Sequence, residues 1–250
     1  MKLRSIVSVG VMALAAAAFA DYTDGKVCGW MRVDSDLAVT VVGVPWVDVG
    51  NPATNVKVAD LVKTDNLTAG DKLYVYDNGT WLFYQLSSGG EWVAGTTANS
   101  SVTPVEAGTP ETARLARGQA LYLERQNPTE GGVAKPFYVY GAEGTALTTK
   151  TLSGAAGTKF LVASPKAEAF QVTTSKISGA TAKSRSASGD QIIVPLTGGA
   201  SRTYTLASGK WGYVSGGVRV KEGDAGYLPI ALGTGFWYIK SGAADVTITW

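Results

Sequence analysis

The sequence GDKLYVYDNGTWLFYQLSSGGEW at residues 70–92 decides the fold, because its pattern returns at residues 189–211 as GDQIIVPLTGGASRTYTLASGKW. Both segments begin with Gly-Asp, continue as an apolar strand, turn near a glycine and return as a second strand followed by a tryptophan. The aspartate and the tryptophan are 21 residues apart in each segment (71 to 92 and 190 to 211). A repeat of this size indicates one structural unit that occurs twice.

The similarity extends beyond these two segments. Three further pairs match: 41–46 with 160–166, 115–125 with 230–240, and 136–141 with 245–250. The chain contains 31 glycines among its 250 residues, and short apolar runs alternate with glycine turns, which is typical of hairpins in an all-β fold. We therefore predict an all-β chain of two tandem related β-sandwich or barrel-like modules, module A at residues 21–143 and module B at residues 144–250.

Local patterns refine this prediction. Asn78-Gly79 between two apolar runs predicts a two-residue β-hairpin turn. Residues 57–64 place Val58, Leu61 and Val62 at helical spacing and predict the single helix, whereas residues 176–184 have lost that pattern and predict a loop. The polar segment 94–113 contains two prolines and predicts an exposed loop.

The repeated unit resembles a known kind of protein. A Gly-Asp strand–turn–strand–Trp unit is followed by RGQALYLER at residues 117–125 and by LGTGFWYIK at residues 232–240. This arrangement resembles exported bacterial cell-surface β-repeat proteins of unknown function. The resemblance covers most of both modules and implies a surface location, but it implies no activity and assigns no site residues.

The first 20 residues have the pattern of a secretory signal peptide. Lys2 and Arg4 precede an apolar run at residues 6–18, and Ala18-Phe19-Ala20 forms a small-residue cleavage site. The apolar run is shorter than the ~20 residues that a transmembrane helix requires. We predict that residues 1–20 are removed and that the protein is secreted, without a transmembrane helix, to the cell surface or the medium.

Charge and cysteine content exclude some partners. Loss of Lys2 and Arg4 leaves 20 of the 22 cations against 20 acids, so a neutral mature chain attracts neither nucleic acid nor an anionic membrane. Cys28 is the only cysteine and cannot form an internal disulfide; we predict a buried thiol. The oligomeric state stays open.

The sequence contains few side chains of the kinds that usually act in catalysis. Histidine is absent, which excludes Ser-His-Asp and Cys-His nucleophiles, histidine metal sites and histidine acid–base catalysis. Asp71 and Asp190 are matched carboxylates, but their shared Gly-Asp context indicates turn aspartates that bond their own backbone. No phosphate-binding glycine loop or complete calcium loop is present. We predict no cofactor, no metal and no enzymatic activity.

The repeat separates residues that the fold needs from residues that serve another purpose. Five pairs of apolar positions are kept in both copies and are predicted to lie in the core: Trp92/Trp211, Tyr84/Tyr204, Leu86/Leu206, Leu121/Phe236 and Tyr122/Trp237. Four large aromatics occur in module A alone and are the predicted binding residues: Trp46, Tyr74, Tyr76 and Trp81. Packing under the 94–113 loop or against module B is the alternative explanation for these aromatics.

These observations favour a secreted non-enzymatic cell-surface binding or adhesion protein, with a glycan or a surface protein as its partner. One alternative is a structural subunit of an envelope layer or filament that assembles through an edge strand, expected at the C-terminus. The other is a secreted hydrolase with a pair of carboxylates in a cleft.

Overall fold

A computed structural model describes residues 28–33, 39–43, 56–58, 62–77, 80–94, 114–115, 118–142, 149–166, 168–184, 188–196, 200–231 and 233–250. These residues form an all-β fold of antiparallel sheets, as the sequence predicts. Within them, no helix combines the length and the apolar character that a membrane-spanning helix requires.

The strands described in the N-terminal part are short, with two to seven residues each. They are β1 Cys28–Val33, β2 Val39–Gly43, β3 Val56–Lys57, β4 Val62–Lys63, β5 Lys72–Asp77, β6 Thr80–Leu86, β7 Trp92–Ala94, β8 Arg114–Leu115, β9 Ala120–Glu124, β10 Thr129–Glu130, β11 Val133–Ala134 and β12 Phe137–Ala142.

The strands of the C-terminal part have similar lengths. They are β13 Thr149–Leu152, β14 Lys159–Ala163, β15 Ile177–Ser178, β16 Gln191–Pro195, β17 Ser201–Ala207, β18 Lys210–Ser215, β19 Val218–Lys221, β20 Gly235–Ile239 and β21 Val246–Thr249.

Four sheets form the main architecture. The large N-terminal sheet has the order β2-β9-β5-β6-β7, and the small N-terminal sheet has the order β1-β12-β4. The large C-terminal sheet has the order β14-β20-β16-β17-β18-β19, and the small C-terminal sheet has the order β13-β21-β15. Two further ribbons join β3 with β8 and β10 with β11.

The two large sheets share one strand order. The order β2-β9-β5-β6-β7 in the N-terminal sheet corresponds strand by strand to the order β14-β20-β16-β17-β18 in the C-terminal sheet, which has β19 in addition. The two small sheets correspond in the same way. The predicted repeat and the division of the chain into modules at residues 143 and 144 stay predictions.

Of the local secondary-structure predictions, one is confirmed and two need correction. Asp77 lies opposite Thr80 in the β5–β6 ladder, so the predicted two-residue hairpin is confirmed. The helix predicted over residues 57–64 is wrong at both ends, since Val56–Lys57 pairs with β8 and Val62–Lys63 pairs with β12. The predicted loop at 176–184 contains the short strand Ile177–Ser178. Residues 59–61, the signal peptide at 1–20 and most of the 94–113 segment lie outside the described residues.

Each large sheet packs one face on an apolar core. The N-terminal core includes Tyr84, Leu86 and Trp92, and the C-terminal core includes their counterparts Tyr204, Leu206 and Trp211. Trp92 lies opposite Leu86 and Trp211 lies opposite Leu206, so both tryptophans occupy the same position relative to their strands. Their predicted burial is confirmed at 5% and 0% exposure.

Asp71 and Asp190 join the start of one strand to the end of its neighbour. Asp71 accepts hydrogen bonds from the Thr68 N–H at 2.9 Å and from the Gln126 N–H, just beyond β9, at 2.7 Å. The predicted local turn bond therefore exists at Asp71, but the side chain also makes a second, long-range hydrogen bond to the Gln126 N–H.

Asp190 does not follow the local-turn prediction. Its Oδ1 accepts from the backbone N–H and the hydroxyl of Ser241, and its Oδ2 accepts from the Tyr238 hydroxyl at 2.6 Å. These partners lie 48 to 51 residues away in the chain, so the sequence context of Asp190 could not reveal them. Both aspartates are 1% exposed, and such burial requires this complement of donors.

We expect Asp190→Ala to destabilise the fold strongly, because it leaves the buried Tyr238 hydroxyl and the partly buried Ser241 N–H without their acceptor. The expected loss in the free energy of unfolding is about 2–4 kcal/mol, measured by urea denaturation. The double variant Asp190→Ala/Tyr238→Phe should recover part of this loss, because it also removes one orphaned donor. Asp245→Ala, at an exposed carboxylate, is the control. An Asp190→Ala chain as stable as that control would contradict the role assigned to the buried carboxylate.

Candidate functional site

The large N-terminal sheet has a second face that does not pack on its core. Successive residues of a strand point to opposite sides, and in β5 Leu73 and Val75 are buried in the core while Tyr74 between them is half-buried. We call the side that carries Tyr74 the outer face of this sheet.

An aromatic row crosses the outer face at right angles to the strands. Tyr74 lies opposite Phe83 of β6 on one side and opposite Tyr122 of β9 on the other. The rings of Tyr74 and Phe83 stack with centroids 5.1 Å apart and an interplanar angle of 27°, a geometry that aromatic pairs prefer. Phe83 is 9% exposed, whereas Tyr74 and Tyr122 are half-buried, so the two tyrosines contribute most of the accessible ring surface of this row.

A polar row lies beside the aromatic row, two residues along the same strands, or about 7 Å away. Lys72 of β5 lies opposite Gln85 of β6 and Glu124 of β9. The Lys72 Nζ is 3.4 Å from Glu124 Oε1, and the Tyr74 hydroxyl donates to Glu124 Oε2 at 2.9 Å. The two charges compensate each other, so this part of the face is polar but close to neutral.

Tyr74 keeps its proton at high pH. Burial raises its pKa to about 12, and the hydrogen bond to Glu124 and the charge of that carboxylate act in the same direction. The hydroxyl is therefore a donor to Glu124 under all ordinary conditions and is not a candidate for a catalytic phenolate.

At its β2–β9 end the outer face packs against the corresponding side of the large C-terminal sheet. The indole N–H of Trp237, in β20, donates to the Tyr122 hydroxyl, and the two ring centroids are 6.1 Å apart. Both residues are half-buried and pack on a small cluster formed by Val41, Ala120, Leu161 and Ala163. The prediction that Tyr122 and Trp237 lie in the two cores is therefore wrong: their neighbours Leu121 and Phe236 fill the cores, and strand alternation sends Tyr122 and Trp237 to the opposite side.

Two backbone hydrogen bonds close the junction between the large sheets. The Gly43 N–H donates to the Gly233 carbonyl at 2.8 Å, and the Ala163 N–H donates to the Gly118 carbonyl at 3.0 Å. Gly43 and Ala163 end the corresponding strands β2 and β14, while Gly118 and Gly233 precede the corresponding strands β9 and β20. The two sheets thus exchange equivalent bonds, as the halves of a two-fold symmetric contact do.

Small residues allow this close approach. A Cβ atom on Gly235 would lie 2.5 Å from the Cβ of Ala120, and one on Gly43 would lie 2.6 Å from the Cβ of Ala163. Each close pair therefore consists of one glycine and one alanine. Because carbon atoms repel strongly at such separations, glycine at these two positions sets the distance between the sheets and brings Tyr122 within reach of Trp237.

The structure describes the four predicted binding residues to different extents. Tyr74 lies on the outer face as described, and the backbone register sets Tyr76 opposite Trp81 at the end of the β5–β6 hairpin. The side chains of Tyr76 and Trp81, and Trp46 as a whole, lie outside the described residues. Their part in binding stays a prediction.

The structure adds residues that the sequence comparison missed. Phe83 has Thr203 at the matching position of the second copy, so it belonged to the aromatics found in one copy only. Glu124 and Lys72 correspond to Ile239 and Gln191, a difference in charge that the comparison of aromatics alone overlooked. Tyr122 and Trp237 were assigned to the cores because both copies keep an aromatic there.

The outer face of the large C-terminal sheet has a different character. At the positions that match Tyr74, Phe83 and Glu124 it carries Ile193, Thr203 and Ile239. It therefore has neither the stacked aromatic pair nor the carboxylate. The aromatic and polar rows are a property of the N-terminal sheet alone.

The described residues include no cluster of histidine, cysteine, aspartate or glutamate side chains able to hold a metal ion. No protein-family model matches the chain, and no significantly similar curated protein or solved structure was found. The functional argument therefore depends on the geometry of the outer face.

We expect Tyr74 to titrate near pH 12, which a difference between the alkaline ultraviolet titrations of the wild type and Tyr74→Phe would measure. The unfolded chain releases this proton near the ordinary tyrosine pKa of about 10. The stabilisation by the protonated hydroxyl is therefore complete below pH 10 and is lost between pH 10 and about 12. A difference spectrum that titrates near pH 10 would contradict the burial of this hydroxyl together with its bond to Glu124.

Proposed function

We propose that this chain is a secreted, non-enzymatic binding protein of the cell surface, and that its ligand is a neutral glycan held on the outer face of the large N-terminal sheet. The observation that carries the proposal is the pairing of the aromatic row with the polar row. Tyr74 presents ring surface, and Glu124 and Lys72 supply an acceptor and donors beside it.

A sugar ring fits this combination of rows. One side of a pyranose presents C–H groups that pack on an aromatic ring, while hydroxyls around its edge need hydrogen-bond partners. Recognition sites commonly combine aromatic surface with a few placed polar groups. The Lys72–Glu124 pair leaves little net charge, which favours a neutral ligand over a phosphate or a nucleic acid.

The absence of catalysis is part of the proposal. Asp71 and Asp190, the two carboxylates singled out by the repeat, are buried and occupied by hydrogen bonds within the chain. Glu124 accepts from Tyr74 and pairs with Lys72. A glycosidase needs two carboxyl groups that face one bond of the sugar, and these three carboxylates are engaged in separate structural contacts.

We expect Tyr74→Ala to weaken glycan binding by about tenfold, because it removes the ring surface and the donor to Glu124. Tyr74→Phe keeps the ring and should retain most of the affinity. A glycan array identifies the ligand, and titration calorimetry on the full chain measures the affinity. Thr203→Ala, at the matching outer face of the other sheet, is the control and should bind as the wild type does. Equal affinity of wild type and Tyr74→Ala, with both chains folded, would contradict the proposed site.

Assembly through an edge strand is the second candidate function. The predicted C-terminal edge is wrong, because β21 lies between β13 and β15 and pairs with both. Among the described strands, β19 ends the large C-terminal sheet, and its hairpin with β18 exposes Val214 at 68% and Val218 at 66%. Exposed apolar side chains at a sheet edge favour pairing with another chain.

The edge of β19 is partly closed, however. The Glu222 N–H bonds the Trp211 carbonyl, and since bonded pairs alternate in an antiparallel ladder, the backbone groups of Lys221 point away from β18. Asp224 occupies both of them: its Oδ2 accepts from the Lys221 N–H at 2.9 Å, and its N–H donates to the Lys221 carbonyl at 3.0 Å. Lys221 adds positive charge along the same edge, which opposes pairing between two copies.

We expect Asp224→Ala to increase self-association, because it removes the acceptor that covers the Lys221 N–H. Sedimentation velocity over a range of protein concentrations would detect the change. Asp245→Ala makes the same change in charge at another exposed carboxylate and should leave the sedimentation coefficient unaltered. If the wild type already assembles and a charge placed on the edge by Val218→Lys disrupts the assembly, β19 is an interaction edge and the structural function gains support over glycan binding.

A further inference from the structure

We propose that Trp237 of the large C-terminal sheet extends the glycan site across the junction, so that the ligand is a linear oligosaccharide that contacts both large sheets. This inference rests on the proposed function and adds to it a second sheet and the length of the ligand. It assigns a binding role to Trp237 and Tyr122, two aromatic residues that the repeat alone would place in the cores.

The aromatic row and Trp237 form one continuous strip of four rings. Phe83 stacks on Tyr74, Tyr74 lies opposite Tyr122 on the adjacent strand, and Tyr122 contacts Trp237. Phe83, Tyr74 and Tyr122 stand on three adjacent strands about 4.8 Å apart, and the ring of Trp237 in the other sheet is centred 6.1 Å from that of Tyr122. The four rings therefore span at most roughly 15 Å. A single sugar ring covers only part of that length, whereas a chain of several rings occupies it.

The orientation of Trp237 is set by the junction. Its indole N–H donates to the Tyr122 hydroxyl, and its ring packs beside the buried cluster of Val41, Ala120, Leu161 and Ala163. It is nonetheless only half-buried, as Tyr122 is. A ring that is held in place and still accessible loses little conformational freedom when it binds a ligand.

Among the described residues of β16 and β17, no aromatic side chain continues the strip beyond Trp237. The position beside Trp237 on the next strand, β16, is Ile193, and the position beyond it is Thr203. The large C-terminal sheet has no counterpart of Glu124 for the polar row, because Ile239 stands at the matching position. The chemistry suited to a sugar therefore covers the outer face of one sheet and a single aromatic residue of the other, which gives the site a defined end.

The experiment measures affinity against ligand length. Neutral linear glucose and N-acetylglucosamine oligomers, from the monosaccharide to the hexasaccharide, are titrated into the full chain. We expect wild-type affinity to rise with length until the strip is filled. Trp237→Leu should reduce the affinity for the longer oligomers by about tenfold and leave the monosaccharide affinity nearly unchanged, because only the longer ligands reach this ring.

A second variant keeps the test valid if Trp237→Leu fails to fold. Trp237→Phe retains an aromatic ring at the junction, and the change in tryptophan fluorescence on adding a tetrasaccharide should be smaller than in the wild type. Thr203→Ala is the matched control, since it lies beyond the end of the strip, and its affinity for every oligomer should equal that of the wild type.

The outcomes separate the two proposals. If no neutral glycan binds the wild type, the proposed function fails and the inference fails with it. If glycans bind and Tyr74→Ala weakens them, but affinity is independent of length and the Trp237 variants behave as the wild type does, the proposed function stands and this inference is overturned.

Discussion

The register of the large sheets depends on the buried aspartates at the start of β5 and β16. Each carboxylate accepts a hydrogen bond from the backbone just beyond the adjacent strand, Asp71 from Gln126 and Asp190 from Ser241. A shift of one residue between these strands would send every side chain to the opposite face. It would also leave a buried carboxylate without its donors, which costs several kcal/mol. The aspartates therefore help to determine which residues fill the cores and which form the outer face.

A buried cation reinforces each of these connections. Arg125 and Lys240 directly precede the residues that bond the aspartates, and both are almost fully buried. Arg125 donates to the carbonyls of Lys135 and Asn66, and Lys240 donates to those of Leu152 and Gly154. Burial lowers the pKa of Arg125, and the nearby charge of Asp71 acts against that effect. The end of β9, or of β20, is thus attached to the surrounding loops as well as to the adjacent strand.

Residues whose role is local or repeated could be predicted from the sequence. The Asn-Gly turn and the paired tryptophans follow from short-range geometry and from comparison of the two copies. The helix predicted over residues 57–64 is wrong at its two ends for a physical reason. Val58 and Val62 are both fully buried, as that pattern requires, but strand partners far away in the chain decide the backbone conformation at either side. The composition of the outer face was still harder to predict from the sequence, because the contact between Tyr122 and Trp237 depends on how the two large sheets pack.

The difference between the two outer faces bears most directly on function. Both sheets need the same core, the same aspartate and the same small residues at the junction, and both have them. The architecture does not require aromatic or charged residues on the outer face for its stability, because the other sheet has different residues at the matching positions. The four pairs are Tyr74 and Ile193, Phe83 and Thr203, Lys72 and Gln191, and Glu124 and Ile239. The N-terminal sheet thus carries polar and aromatic groups where its counterpart carries mainly aliphatic or small side chains. Since these groups lie beside Trp237 at the junction, the contact between the sheets also forms one end of the surface on which we place the ligand.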